Sequence, residues 1–508
     1  MSVIKETIEK IKNHEQIKEN LFLLREELRK IENPEKEIVM EERDLLEGLL
    51  DHEDPKIRRV AAQILGCVQS SKSLNAIYRA YRQEETLYIR EDYLKAMTEL
   101  DYESLIPEFK QRLEELLRMD MPEEHRGHLM GEAGSLFEML AAKNAVDKHR
   151  FTGLAKVQEV LLTTKDGLQD VTIKQLPRVP RKKVPGGVMV KTDALDGLFK
   201  IRTYEEMLFY MGNSLTEQPE PEVLAKEVYE LGVSQFIKRT HGPGGPMGVR
   251  IGLSDPMERS KKGAYVKRIG QELTRLSKGE LINTTSGYEA EIRLLQNPGG
   301  GHRVMVKLFT LPEHRFDYRK EVVASSIKPY LAATLLQLAG GYLKEGAQVL
   351  DPFCGVGTML IERRAVKPTG DCYGVDCFGE AIHKARINSE KIGPYIHYIQ
   401  RDYGDFTHSY LFDEIITDMP VATRNVTRQE IKRCYELLFI RGKELLREGG
   451  IMVVYGNEHG LMKQQLRQNK EFSLLREYGI EQRLDTHLYV LGYKTDQRKK
   501  NGIEVTNG

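Results

Sequence analysis

Residues Gly346 to Asp376 read GAQVLDPFCGVGTMLIERRAVKPTGDCYGVD. The order is strand, glycine turn, helix, strand, acidic residue. Ala347 to Leu350 is a short strand-like run that Asp351-Pro352 stops. Gly355 and Gly357 then permit a sharp turn and close approach of backbone to a ligand. Met359 to Val366 reads as the helix, and Cys372 to Val375 as a second strand ending on Asp376. A carboxylate there suits ribose hydroxyls, the task of an acidic residue about 20 positions past the glycines in nucleotide-binding βαβ units.

The chemistry of the turn narrows the ligand. A dinucleotide fingerprint, G-x-G-x-x-G, needs a third glycine where this chain has Leu360. Asp351 stands where a pyrophosphate would sit, and an anion repels an anion. A ligand with a cationic amino or sulfonium end suits that carboxylate, which favours S-adenosylmethionine over NAD.

Asp351-Pro352-Phe353-Cys354-Gly355-Val356-Gly357-Thr358 resembles the DPFCGSGT motif of Rossmann-type RNA methyltransferases. The group it is most similar to is the THUMP-associated guanine-N2 methyltransferases of tRNA and rRNA, over roughly Val171 to Lys494. The resemblance implies an α/β fold whose C-terminal part is a Rossmann-like class I methyltransferase sheet. It also implies S-adenosylmethionine as cofactor and structured RNA as partner. In the cofactor pocket it places Asp351, Pro352, Cys354, Gly355, Gly357, Thr358, Asp376 and Asp402. Asp351 would meet the amino group, Asp376 the ribose and Asp402 the adenine amine.

The rest of the 508-residue chain is consistent with about three domains. Lys+Arg and Asp+Glu are equal at 76 each. Residues 1–150 carry roughly −8 and the remainder roughly +8, a balance compatible with nucleic acid. The five cysteines form no paired framework and no metal-ligand spacing, so a reduced, cytoplasmic protein without a metal is expected. No signal peptide and no apolar run of membrane-spanning length is present.

Residues 1–148 read as an all-α domain. Asp54-Pro55 opens a helix, and Ile57-Arg58, Ala62 and Leu65 are echoed 32 residues later by Ile89-Arg90, Leu94 and Met97. The segment resembles HEAT-type helical repeats, which implies by analogy a surface for a protein partner or for RNA docking. Residues 149–320 read as an α+β region. Val171-Thr172-Ile173-Lys174 looks like a strand, Pro177 to Lys183 a basic loop, Met189 to Lys191 a strand, and Arg202-Thr203 part of a helix. That order resembles a ferredoxin-like domain, and the strand–helix–strand pattern after Val249 resembles a THUMP half. Arg178, Arg181, Lys182 and Lys183 are candidate phosphate contacts. The glycines at 242–248 read as a loop.

Residues 321–495 read as the methyltransferase domain, and 496–508 as a disordered tail. Just before the glycine turn, Arg315 to Arg319 and Ser325 to Pro329 resemble family segments that close the cofactor pocket, with Tyr318 and Arg319 facing substrate. Alternating β and α from Tyr330 onward predicts a parallel sheet with a late antiparallel edge. Asp351, Asp376, Asp402 and Asp418 all fall at expected strand ends.

Asp418-Met419-Pro420-Val421 stands at the family's Asp/Asn-x-Pro-aromatic position. The Asp418 carboxylate and the Met419 carbonyl would hold the hydrogens of an exocyclic amine, and Pro420 would stiffen the turn. Valine at 421 offers no π-face, so either another aromatic (Tyr318, Phe406 or Tyr435) holds the base, or the acceptor differs, or activity has decayed; Arg424 remains nearby as a substrate contact. The leading expectation is methylation of a guanine N2 in tRNA or rRNA. The alternatives are an RNA-binding scaffold with a silent methyltransferase domain, and a methyltransferase acting on a protein or small molecule.

Overall fold

The structure, a computed structural model, describes residues 3–30, 36–69, 71–217, 219–297, 299–393, 395–423 and 426–494. The tail expected over 496–508 lies outside the described residues. The chain divides into two compact units, Met1–Gly153 with Phe209–Leu311, and Leu154–Leu208 with Pro312–Gly508. The region expected as one middle domain, 149–320, is therefore shared between them. Among the described residues no helix is long and apolar enough to cross a membrane.

The strands, in chain order, begin with β1 Gln158–Thr163, β2 Arg181–Val184, β3 Gly187–Thr192 and β4 Met207–Ser214. Next come β5 Met247–Leu253, β6 Leu281–Asn283, β7 Ala290–Gln296 and β8 His302–Leu308. The last set is β9 Ala347–Asp351, β10 Thr369–Asp376, β11 Ile396–Gln400, β12 Phe412–Asp418, β13 Leu446–Gly456, β14 Phe472–Glu481 and β15 Thr486–Tyr493.

In the first unit, the helix Pro55–Cys67 starts where Asp54 accepts a hydrogen bond from Lys56 N at 2.8 Å. Ile57, Ala62 and Leu65 and their echoes Ile89, Leu94 and Met97 are all buried in one core. A Cβ on Gly66 would lie 2.6 Å from the Ala96 carbonyl oxygen, so glycine lets the helix Leu87–Thr98 pack close. The same unit holds the strand order β4-β8-β7-β5-β6, with β5 parallel to β6 and β7. The helix Arg259–Leu276 precedes β6, and 242–246 is the expected loop.

In the second unit, β2, β3 and β1 pair antiparallel. The reading of Val171–Lys174 as a strand is corrected: Gln169–Ile173 is a short helix. Thr172 is buried there with its hydroxyl 3.1 Å from Thr203 O, and this tertiary contact overrides β-branched propensity. The basic loop is also corrected, because 181–184 is an edge strand. Arg202-Thr203 lies outside any helix, held instead by side-chain contacts to Glu362 and Thr172.

The main sheet has the order β11-β10-β9-β12-β13-β15-β14. β9 to β13 run parallel, and β15 pairs antiparallel with both β13 and β14, as expected from the late strand pair. Asp351, Asp376 and Asp418 are the last residues of their strands, and Asp402 follows two residues after β11. One edge of the sheet thus gathers four carboxylates, where ligands of open α/β sheets bind.

A buried ion pair ties the helix after the turn to the amino-terminal half of β12, away from this edge. Arg363, on the helix Thr358–Val366, donates to Glu414 of β12 at 2.7 and 3.0 Å, and both side chains are 0% exposed. Its remaining donors reach Lys367 O at 2.8 Å and Lys344 O at 2.6 Å, and Lys344 N donates to Glu414 at 2.7 Å. Removing one partner leaves an uncompensated charge inside the domain. Arg363→Met is expected to destabilise the protein by about 3–5 kcal/mol in urea unfolding, and Arg363→Met with Glu414→Leu to recover much of that loss.

Candidate functional site

The turn between β9 and the following helix is shaped by two glycines with left-handed backbone, Gly355 at φ +50° and Gly357 at φ +83°. At Gly357 a side chain has no room, since a Cβ would lie 2.2 Å from the Tyr398 hydroxyl oxygen. That hydroxyl is held in turn by Ser389 Oγ at 2.7 Å. Nothing lies within 4 Å of where a Cβ on Gly355 would be, so this stretch of backbone is bare. Asp376 fixes the turn from the next strand, accepting from Gly355 N and Phe378 N at 2.9 Å each.

The turn opens on a cavity of about 400 Å³, a size suited to a small organic ligand. Asp351, Asp376, Asp402 and Asp418 all line it. Burial pushes the Asp351 carboxyl up to about 8, and the charges of Asp418 and Asp376 push the same way. Burial alone pushes Asp418 up to about 7. Asp376 is raised as well, opposed by its two backbone hydrogen bonds. Two carboxyls held partly neutral at one mouth favour a ligand that brings positive charge. The hydroxyl of Thr358 also lines the cavity, buried and without a hydrogen-bond partner among the described residues. These features fit the sulfonium and amino groups of S-adenosylmethionine.

Pro352 and Cys354 line the cavity too, and burial raises the Cys354 thiol well above its ordinary value. Asp402 lines it while its Oδ1 accepts from Gly404 N at 2.7 Å, capping a short turn. On the opposite wall stand Met419, Pro420 and Val421, the last 38% exposed. Met419 N donates to Tyr455 O of β13 at 2.8 Å, which fixes the turn after β12. A Cβ on Gly456 would meet the Tyr435 hydroxyl at 2.4 Å and Met419 Cβ at 3.3 Å, so this glycine leaves the turn its space.

Several expected substrate residues lie elsewhere. Tyr318 donates to Glu362 at 2.6 Å and does not line the cavity, because Glu362 is fully buried and takes both Tyr318 and Arg202 as partners. Arg319 faces away as well, donating to the carbonyls of Ser326 and Ile327. It thereby holds the 325–327 segment, which does line the cavity. The other aromatic candidates, Phe406 and Tyr435, are buried in the core beneath the sheet. Arg424 lies outside the described residues.

Arg178 is exposed just before β2, while Arg181, Lys182 and Lys183 are exposed on that edge strand. Lys183 pairs with Asp170 at 2.9 Å. Basic residues also protect a sheet edge from pairing with another chain.

Two features of the cavity went unread in the sequence. Phe378 is 65% exposed at the start of the helix Gly379–Ser389 and lines the pocket beside Asp376. Its signal was an apolar residue two positions past Asp376. Glu430, Arg433 and Cys434 line the pocket from the helix Arg428–Leu445, whose start is a capping box between Thr427 and Glu430. The pattern T-x-x-E gives that helix start away, but not its orientation.

Comparison with known proteins agrees with this geometry. Residues 317–480 match the UPF0020 family model, described as the RMKL-like methyltransferase domain. TrmN from Thermus thermophilus is 19% identical, with a TM-score of 0.50 over 66% of this chain and 99% of TrmN. SMU.472, crystallised with SAH, is 17% identical at a TM-score of 0.50, covering 67% of this chain and 99% of its own. A possible methylase from Clostridium difficile 630 gives the same identity, score and shares. These likenesses carry the fold over about two thirds of the chain. The family match makes residues 317–480 a methyltransferase domain, and the acidic, glycine-floored cavity fits its cofactor, S-adenosylmethionine.

Proposed function

We propose that the protein methylates an exocyclic amine of structured RNA, the N2 of a guanine in tRNA or rRNA. The observation that carries this reading is the Asp418-Met419-Pro420 turn, which sets a carboxyl raised to about 7 and a fixed backbone carbonyl at the mouth of the cofactor cavity. When bound, the cofactor supplies an electrophilic methyl group on sulfur. An amine conjugated to a purine is a weak nucleophile, because its lone pair is delocalised into the ring. Asp418 and the Met419 carbonyl would accept its two hydrogens and turn the lone pair toward the methyl. Asp418 would then take the proton as positive charge develops on nitrogen. Met419 N–H on Tyr455 and the stiff Pro420 hold that geometry without further ordering. Asp351 would pair with the cofactor's ammonium, and Phe378 would cover the adenine beside Asp376.

Three measurements test this reading. Asp351 binds a cation best when ionised, yet in the free protein it is protonated below about 8. Calorimetry at pH 7 is therefore expected to show protons released on binding S-adenosylmethionine, in buffers of different ionisation enthalpy. Asp351→Asn should bind more weakly and release fewer.

Asp418 acts only as the carboxylate, so methyl transfer should rise with pH and level off above about 7. Asp418→Asn keeps an acceptor but cannot take a proton, and should lower the rate about 10²–10⁴-fold while changing cofactor affinity far less. A wild type that binds cofactor and RNA but transfers no methyl to cellular RNA would favour the scaffold reading.

RNA binding is expected to involve the basic edge strand. Reversing the charge of Arg181, Lys182 and Lys183 together should weaken binding. It should also flatten the dependence of log affinity on log salt, by roughly 0.7–0.9 for each phosphate that the strand no longer neutralises. Unchanged affinity and slope would place the RNA on another surface.

A further inference from the structure

At the antiparallel end of the main sheet, three side chains converge that the methyl-transfer reading does not use. His459 is the first residue of the helix His459–Gln468, Glu477 lies on β14, and His487 lies on β15. Each offers one ligand atom, and these atoms all lie within 4.8 Å of one another. Glu477 Oε1 is 3.0 Å from His487 Nδ1 and 3.5 Å from His459 Nδ1, which also hydrogen-bonds the Tyr489 hydroxyl at 2.6 Å, a contact that a bound ion would replace. Neighbouring ligand atoms of a tetrahedral zinc ion stand about 3.3 Å apart, given bonds of roughly 2.0–2.2 Å. The two imidazole rings stack with centroids 4.6 Å apart, which brings both Nδ1 edges to the same carboxylate.

The hydrogen-bond chemistry of His487 points to a cation at this place. Its Nε2 is 3.1 Å from Asp485 Oδ1, and an ionised carboxylate only accepts, so Nε2 carries the hydrogen. In the neutral ring Nδ1 is then a lone pair. It is buried, makes no hydrogen bond among the described residues, and faces another acceptor, Glu477 Oε1, at 3.0 Å. Two acceptors at that distance need a positive charge between them. A second carboxylate that fixes the tautomer of a histidine is also the arrangement found behind metal-bound imidazoles.

We propose that His459, Glu477 and His487 bind one zinc ion. Two imidazole nitrogens and one carboxylate suit a borderline divalent ion and not magnesium or calcium, which take oxygen ligands. The side chains are 20–28% exposed, so a water would complete the coordination. The ion clamps the start of the helix His459–Gln468 to the β14–β15 hairpin. His487 pairs in register with Gly456 of β13, next to Tyr455, whose carbonyl anchors Met419. The clamp therefore braces the strand that supports the turn at the cavity mouth.

The test uses the full chain, stripped with a chelator and titrated with zinc alone by calorimetry, alongside thermal melting. The expected result is one ion per chain and a melting temperature raised by zinc. Glu477→Gln and His487→Ala should abolish both effects, and Asp485→Asn, whose carboxylate is exposed, should weaken binding about 10–100-fold. His383→Ala, on an exposed helix face, should change nothing. No saturable binding would overturn the proposal. Equal binding by Glu477→Gln, Asp485→Asn and the wild type would overturn it by placing the ion elsewhere.

Discussion

The ion pair between Arg363 and Glu414 is the contact on which the site's geometry rests. Neither charge could be buried alone, so each fixes the place of the element that carries the other. Arg363 lies one turn into the helix that follows the glycine turn, and Glu414 lies four residues before Asp418 on β12. Held at 2.7 Å, they lock the helix that follows the glycine turn against the strand that ends on Asp418. The neighbouring residue, Glu362, is equally buried and takes Arg202 and Tyr318 as partners. Two adjacent residues on one helix thus bind in two directions, one into the sheet and one toward the segment before it.

The cavity is electrostatically unfinished. Burial raises the cost of ionising both Asp351 and Asp418, and the charges of Asp418 and Asp376 add to it at Asp351, which keeps part of both neutral near pH 7. A cationic ligand removes that cost and gains the paired charges in a shielded place. The same field disfavours a pyrophosphate, so the site selects its cofactor by sign before any contact with adenine or ribose. Asp376 is different in kind. Both of its oxygens already accept backbone N–H groups, so it sets the shape of the turn at least as much as it awaits a ribose.

Much of the methyltransferase sheet was legible in the sequence, and the reasons are local. Glycines at 355 and 357 demand left-handed backbone, and buried strands such as β12 and β13 read as apolar runs bounded by turn residues. What failed depended on contacts distant in sequence. Val171–Lys174 has strand propensity, but Thr172 is satisfied by Thr203, and the segment winds into a helix. Tyr318 looked like a substrate contact because nothing in its neighbourhood names Glu362, 44 residues away, as its partner. The helical echo between residues 57–65 and 89–97 did mark buried positions, since the spacing reports which face of each helix turns inward.

The consequence of Val421 follows from where the aromatic rings lie. Tyr318, Phe406 and Tyr435, the rings expected to replace a stacking residue, are engaged in the interior, and Phe378 stands beside Asp376. Under the proposed reaction, a base beside Val421 is then held by the hydrogen bonds of Asp418 and Met419 and by apolar contact with valine. Stacking on an aromatic ring is worth about 1–3 kcal/mol, so that much binding must come from elsewhere on the substrate. Contacts to phosphates supply it without reading sequence, and they require the partner's shape to bring the base to the turn. A folded RNA meets that requirement better than a free nucleotide or a flexible strand, which would have to be ordered on binding. The absence of a ring at 421 thus argues for recognition by shape at a distance and alignment by two acceptors at the amine.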